Sequence, residues 1–303
     1  MITKPTVLLL GAGASMPYGF PSGLGLLRDI SFKLDHPKTS ENWVHILKDL
    51  GITEECIQTF RHDLINSNLP SVDAFLERRP EFLEVGKLTI ALGLIPFEAE
   101  HHLTDLENRE KSWYAYLWYK LNTSFDAFNE NKLSIITFNY DRSIEHFLFK
   151  SMKSTYAKSE TECAYRLNKI PIIHVHGSLG VLPWQEGAMP RAYQPRIDLI
   201  QTQIKTVSEQ IVVISEKEDT SPIFDEVFKI MLAAKRIYFL GFGYHDTNLR
   251  RLRINLVKNN ELVGTAYGLG QAEAEAINQK WRISLPDRRH EVLKFLKDYA
   301  PFE

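Results

Sequence analysis

Six short runs of consecutive apolar and β-branched residues constrain this 303-residue chain more than any other feature. They are Thr6–Leu10, Leu133–Phe138, Pro171–His176, Gln210–Ile214, Arg236–Leu240 and Leu262–Leu269. Each run is continuous rather than alternating, the pattern of a strand buried on both faces. Helical patterns follow several of them: Asp141–Met152 after the second, Ile223–Ala234 after the fourth and Asp246–Lys258 after the fifth. Strand–helix alternation of this kind predicts an α/β fold with a doubly wound parallel sheet.

The first two runs are separated by about a hundred residues with no strand pattern. Glu41–Leu50, Glu54–Ile65, Val72–Leu94 and Trp113–Phe128 carry apolar residues at helical spacing. In the third, Val72, Phe75, Leu76, Phe82, Leu83 and Leu92 can share one broad face. The expected organisation is a sheet domain, residues 1–35 and 131–303, with a smaller helical module inserted at 36–130. A ligand cleft is then expected between the module and the carboxyl ends of the strands. Gly180–Arg196 is rich in glycine and proline and reads as a long loop, a kind of segment that is often functional. Asp287–Tyr299 reads as an amphipathic helix docked on the core.

Composition excludes several classes. A formal net charge of −2 gives no general reason to bind nucleic acid. The local pairs Lys235-Arg236, Arg250-Arg251 and Arg288-Arg289 read as solvated helix faces or helix ends. Two cysteines, Cys56 and Cys163, build neither a disulfide framework nor a Cys-x-x-Cys zinc ribbon. No apolar run reaches membrane-spanning length, and the amino terminus lacks the pattern of a signal peptide. The expectation is a soluble, cytoplasmic protein.

The first run stops at Gly11-Ala12-Gly13, and glycines recur at Gly19 and Gly23. Such a turn lets the backbone approach a pyrophosphate, with the N–H groups of the following helix start facing the anion. Alone it is a weak signal, because glycine turns also serve packing. The dehydrogenase fingerprint is incomplete here. Its third glycine is replaced by Met16, and the nearest acidic candidate, Asp35, follows no apolar strand. No Gly-Lys-Ser/Thr follows, so a phosphate-loop NTPase is the weaker reading still.

Two strand ends carry polar chemistry. The second run ends TFNYD, where Asn139 can orient a sugar hydroxyl or a water, or simply shape the turn. Asp141 reads first as a helix cap. The third run ends HVHGS, with His174 and His176 on one face by strand alternation. His176, last before Gly177, is assigned the role of general base, and His174 a structural one. The competing readings of His176 are a core histidine or a two-histidine metal site, the latter without a clear third ligand. The fifth run ends in Gly241-Phe242-Gly243, a second glycine turn.

Taken together, GAGAS…GFP, TFNYD, HVHGS and GFGYHD resemble the sirtuin superfamily in order and spacing, outside the helical insertion. More narrowly, the chain resembles bacterial sirtuin-like effectors of antiphage defence that hydrolyse NAD+ and cause abortive infection. The resemblance implies a Rossmann-like domain with a small inserted module. It implies catalytic Asn139 and His176, a pyrophosphate turn at Gly11, Ala12, Gly13 and Ser15, and an adenosine-ribose turn at Gly241, Phe242 and Gly243. It also implies a role for Asp141 near the nicotinamide amide. NAD+ is then the substrate and no zinc is expected.

Departures from the deacylating members narrow the reading. They carry Asp-Phe-Arg after Gly-x-Pro, where this chain has Ser22, Gly23 and Leu24, and Gln before the catalytic Asn, where it has Phe138. They usually carry a four-cysteine ribbon as well. Water is therefore the expected acceptor, and NAD+ glycohydrolase the expected activity. ADP-ribosyl transfer or deacylation is the alternative, and a non-catalytic NAD or ADP-ribose sensor the second. Control by homo-oligomerisation or by a partner subunit is expected, with a DNA-translocating ATPase as a partner that the resemblance suggests.

Overall fold

Five strands form one all-parallel sheet in the order β3-β2-β1-β4-β5 in the computed structural model. The strands are β1 (Thr6–Leu10), β2 (Leu133–Thr137), β3 (Ile172–His174), β4 (Arg236–Leu240) and β5 (Glu261–Gly264). The structure describes residues 1–35, 43–107, 109–187, 189–195, 200–213, 221–258 and 260–302. The expected α/β, doubly wound, Rossmann-like parallel sheet is what the chain forms.

β1 lies at the centre and is buried along its whole length. Its side chains alternate between two cores. Leu8 and Leu10 enter the core shared with the inserted helices, while Val7 and Leu9 enter the one covered by Pro222–Ala233 and Asp246–Arg251. Burial on both faces is the reason the strand reads as unbroken apolar sequence.

Register brings the strand ends level. Leu10 pairs with Thr137 on one side and Leu240 on the other, and Thr137 pairs with His174. Gly11, Phe138 and Gly241 therefore leave the sheet at the same edge, where ligands bind open parallel sheets.

The fourth expected strand, Gln210–Ile214, is absent from the sheet among the described residues. Gln210 ends the helix Ile200–Gln210, and Ile211 makes only an isolated antiparallel bridge to Gly177. Ile214 lies outside the described residues. A reversal at Gly177, which has φ +70, sets this geometry, because a side chain there would collide with the Gln210 carbonyl. The last strand is also shorter than expected, ending at Gly264, where the Tyr244 hydroxyl crowds the backbone.

Helix ends differ from the periodic pattern for local reasons. Val72–Leu94 is split into Val72–Leu76, a 3-10 turn at Pro80–Phe82 and Leu83–Leu94. Pro80 has no N–H to donate and disfavours helical geometry at Arg79, which takes φ −125 and ψ 68. Trp113–Phe128 breaks after Leu121, and Asp246–Lys258 gives way after Arg251, just before Arg253 at φ +53. Residues 41 and 42 of Glu41–Leu50 lie outside the described residues, and the helix runs Trp43–Asp49. The carboxyl-terminal helix is Val292–Tyr299, docked through Val292, Phe295 and Leu296.

Packing ties the insertion to more of the chain than the 36–130 boundary implies. Gly23–Asp35 packs on Glu54–Asn66 and Leu83–Leu94, and Ile200–Gln210 packs on Leu83–Leu94. Of Gly180–Arg196, residues 188 and 196 lie outside the described residues, and the rest is tied to Glu98 and to the helix Ser143–Tyr156 with its flanking Arg142. Arg142 forks onto the Glu98 carboxylate at 2.8 and 2.6 Å and donates to the carbonyls of Val181 and Arg191. Arg191 meets the same carboxylate. Trp184 stacks on Phe149, and Tyr193 on His146. The loop is thus packed against the body of the protein. Among the described residues, no helix is long and apolar enough to cross a membrane.

Candidate active site

The two glycine turns interlock. The Gly11 N–H donates to the Leu240 carbonyl at 3.0 Å, and the Gly13 N–H to the Gly241 carbonyl at 3.0 Å. A Cβ on Gly11 would lie 2.6 Å from the Gly241 oxygen. Gly241 itself has φ +57, and a side chain there would strike the Ala14 nitrogen. Thr265, just beyond β5, completes the clasp by accepting the Gly241 N–H on its hydroxyl at 2.8 Å.

The first turn differs from the expected helix start. After Gly11 the chain makes two 3-10 turns, Ala12–Ala14 and Met16–Tyr18, and the first α-helix begins only at Gly23. The Ala14 and Ser15 N–H groups close these turns on Gly11 and Ala12, so they, like that of Gly13, have partners within the chain. Pro17 and the missing third glycine explain why no regular helix grows from the turn. The insertion holds this segment. The Trp113 indole donates to the Ala14 carbonyl at 2.8 Å, and Tyr18 stacks on Tyr114 with ring centroids 3.8 Å apart.

Asn139 faces the turn across the sheet edge. Its Nδ2 donates to the Gly11 carbonyl at 3.0 Å and to the Ser15 hydroxyl at 2.9 Å. A carbonyl only accepts, so the amide orientation is fixed and both its hydrogens are spent. What the side chain can still offer is the acceptor Oδ1. The Ser15 hydroxyl in turn donates to Asp141 Oδ2 at 2.7 Å.

Asp141 is buried behind this group and does not line the cleft. Its other oxygen accepts from the Ser143 N–H at 3.2 Å and from the Ser143 hydroxyl. Burial pushes its carboxyl above the usual range, and the hydrogen bonds from Ser143 and Ser15 work against that rise. The geometry is that of a brace between the glycine turn and the start of the helix Ser143–Tyr156.

His174 and His176 part company although strand alternation would align them. β3 stops at His174, and the chain reverses at Gly177. His174 turns to the Asn139 carbonyl and Glu145. His176 enters the cleft, edge-on to Phe138 with ring centroids 5.4 Å apart. Its Nδ1 is buried without a hydrogen-bond partner among the described residues. Burial pulls its pKa below the ordinary histidine value. Asp73 and Glu77 oppose that shift, and Arg251 adds to it. Burial thus favours the neutral imidazole of His176.

The cleft measures about 1040 Å³, the upper end of small-molecule sites. It is lined by Gly11, Ala12, Gly13, Asn139, His176, Gly241, Phe242 and Gly243, with Ser15 and Asp141 set behind. Phe242 is mainly a wall, edge-on to Phe138 at 5.1 Å.

Sequence reasoning missed Thr265 and two carboxylates from the insertion, Asp73 and Glu77, which also line the cleft. The Tyr140 hydroxyl donates to Asp73, and Glu77 pairs with the buried Arg251 at 2.9 Å. Arg251 is thus no solvated helix-face charge. The i, i+4 spacing of Asp73 and Glu77 was the available signal, since it puts both on one helix face. Ser22 and Leu24, at the positions of the deacylase Asp and Arg, act differently. Ser22 accepts the Gly25 N–H at 3.0 Å, and the exposed Leu24 lines the cleft. Among the described residues, no group of three or more His, Cys, Asp or Glu is placed to hold a metal ion.

Strand order, parallel register and a cleft at the carboxyl edge define a Rossmann-like α/β protein. The SIR2-like domain model matches residues 133–285, just over half of the chain, and the protein belongs to that family. The match includes Asn139, His176 and the Gly241 turn, and the Gly11 turn precedes it. SIR2-like domains are NAD-dependent enzymatic domains. No curated protein matches the chain.

Proposed function

We propose that the cleft binds NAD+ and hydrolyses its nicotinamide–ribose bond. The observation that carries this reading is the placement of Asn139 and His176 at neighbouring strand ends, in one cleft with the interlocked glycine turns.

Nicotinamide in NAD+ is a cationic leaving group, so the bond can break through an oxocarbenium-like state without a strong general acid. The C1′–N bond breaks and nicotinamide leaves neutral. A water oxygen bonds to C1′ and gives its proton to His176. Asn139 Oδ1 accepts a hydrogen from a ribose hydroxyl or from that water. A neutral histidine base of this kind contributes about a hundred- to ten-thousandfold.

The Phe138–Phe242 wall beside His176 offers no polar group to a competing acceptor. With Ser22 and Leu24 in place of a deacylase motif, this favours water as the acceptor. Depletion of NAD+ as an antiphage response is the biological role we assign. Restraint by homo-oligomerisation or by a partner such as a DNA-translocating ATPase follows from the resemblance to sirtuin-like defence effectors.

The test is nicotinamide release from NAD+ by wild type, Asn139→Ala and His176→Ala, with and without an acylated peptide. Hydrolysis predicts release by wild type that needs no peptide and is lost in both variants. Peptide-dependent formation of acyl-ADP-ribose would replace hydrolysis with deacylation, and tight binding of unchanged NAD+ would replace it with sensing.

A further inference from the structure

Asn139 is held from behind as well as from the glycine turn. Its main-chain carbonyl lies 2.8 Å from His174 Nδ1. Since a carbonyl only accepts, Nδ1 carries the hydrogen. His174 Nε2 lies 2.5 Å from Glu145 Oε1, in the first turn of Ser143–Tyr156. One hydrogen occupies that contact. Whether it sits on the ring or on the carboxyl, Nδ1 remains a donor aimed at Asn139. The Asn139 N–H is tied as well, to the Thr137 hydroxyl at 3.0 Å. With both Nδ2 hydrogens committed, Oδ1 is the group of Asn139 left for the cleft.

The pair is expensive to bury. Glu145 is 3% exposed, and its second oxygen has no hydrogen-bond partner among the described residues. Well-packed apolar residues usually stabilise such a place as well as a buried ion pair does. Stability is therefore a weak reason for the pair, and its contact with the Asn139 carbonyl suggests another.

We propose that His174, set by Glu145, is a positioning residue for Asn139, fixing its main chain so that Oδ1 stays aimed into the cleft. This rests on the proposed hydrolysis.

The test compares His174→Asn with His174→Leu, each combined with Glu145→Gln so that no unpaired carboxylate remains. Asparagine at 174 keeps an N–H where Nδ1–H stood, and leucine does not. The leucine variant is expected to lose ten- to a hundredfold in kcat for nicotinamide release, with KM within about threefold. The asparagine variant is expected to recover most of that loss at an equal urea midpoint. Equal activity in the two, or activity that follows the urea midpoint, overturns the proposal.

A second measurement needs no variant. In wild-type protein labelled with ¹⁵N at histidine, His174 Nδ1 must stay protonated from about pH 6 to about pH 8, and a bare Nδ1 overturns the proposal. Wild-type nicotinamide release is the separate control on hydrolysis. If NAD+ binds but is not cleaved, hydrolysis fails, and positioning is read from NAD+ affinity instead. Leucine must then weaken binding and asparagine restore it, and equal affinities overturn the proposal.

Discussion

Asn139 Nδ2 lies 3.0 Å from the Gly11 carbonyl oxygen, joining two strand ends that stand 128 residues apart in sequence. The contact fixes which face of the amide the cleft sees. Replacing the amide by a carboxylate of the same shape sets an acceptor against that carbonyl. Asn139→Asp is therefore expected to lose at least about a hundredfold in nicotinamide release and about 1–3 kcal/mol of stability. Ser15→Ala, which removes the second anchor, is expected to reduce kcat by a smaller factor. Steady-state kinetics beside urea unfolding check both.

Gly241 carries a prediction about the scaffold. At φ +57 and in contact with the Ala14 backbone, it leaves no room for a methyl group. Gly241→Ala is expected to cost about 2 kcal/mol or more and to weaken NAD+ binding by parting the two turns. Gly268 is the control. It has φ +84, but no heavy atom lies within 4 Å of the place a methyl group would take. Gly268→Ala should therefore cost only the backbone strain, about 1 kcal/mol. Urea midpoints separate the two, and a calorimetric NAD+ titration follows the loss of binding in Gly241→Ala.

Glu98 makes a different kind of prediction, because it does not line the cleft. Its buried carboxylate is the acidic partner shared by Arg142 and Arg191. Glu98→Gln is expected to lose about 3–5 kcal/mol, since two guanidinium groups are left without a counter-charge. Gly180–Arg196 should then become the first site of proteolysis. A urea midpoint within error of wild type would contradict this account of the loop.

The pH dependence of cleavage follows from His176. A base must be neutral, so activity falls as pH drops through its pKa. Burial lowers that pKa, so the acidic limb should lie below the ordinary histidine value of about 6.5. Asp73→Asn removes a charge that raises it and should move the limb further down. An upward shift would contradict the assignment. The same sign applies to stability. Folded His176 binds its proton less readily than the unfolded chain does. Its contribution therefore falls as pH drops below the unfolded value and levels off below the folded one.

The central sheet was legible in the sequence because β1, β2 and β4 are largely buried on both faces and filled mostly by apolar residues. Gln210–Ile214 misled for the same reason in reverse. Ile211 is buried beside the reversal at Gly177 and Val213 packs against the core, and composition does not distinguish that from a strand. At the site, TFNYD and HVHGS pointed to Asn139 and His176. Only tertiary structure shows that Asp141 faces inward and that His174 turns away from its strand neighbour. Thr265 was not legible, and Asp73 left only its spacing from Glu77, because each works through a partner distant in sequence. Thr265 holds Gly241, and Asp73 sits on an inserted helix that folds back over the strand ends.

The most direct test of the account is nicotinamide release from NAD+ by the purified chain, measured for wild type and His176→Ala across a wide range of protein concentrations. The account predicts release by wild type under at least one of these conditions and at least about a hundredfold less from the variant at equal stability. Release by His176→Ala at the wild-type rate would contradict it.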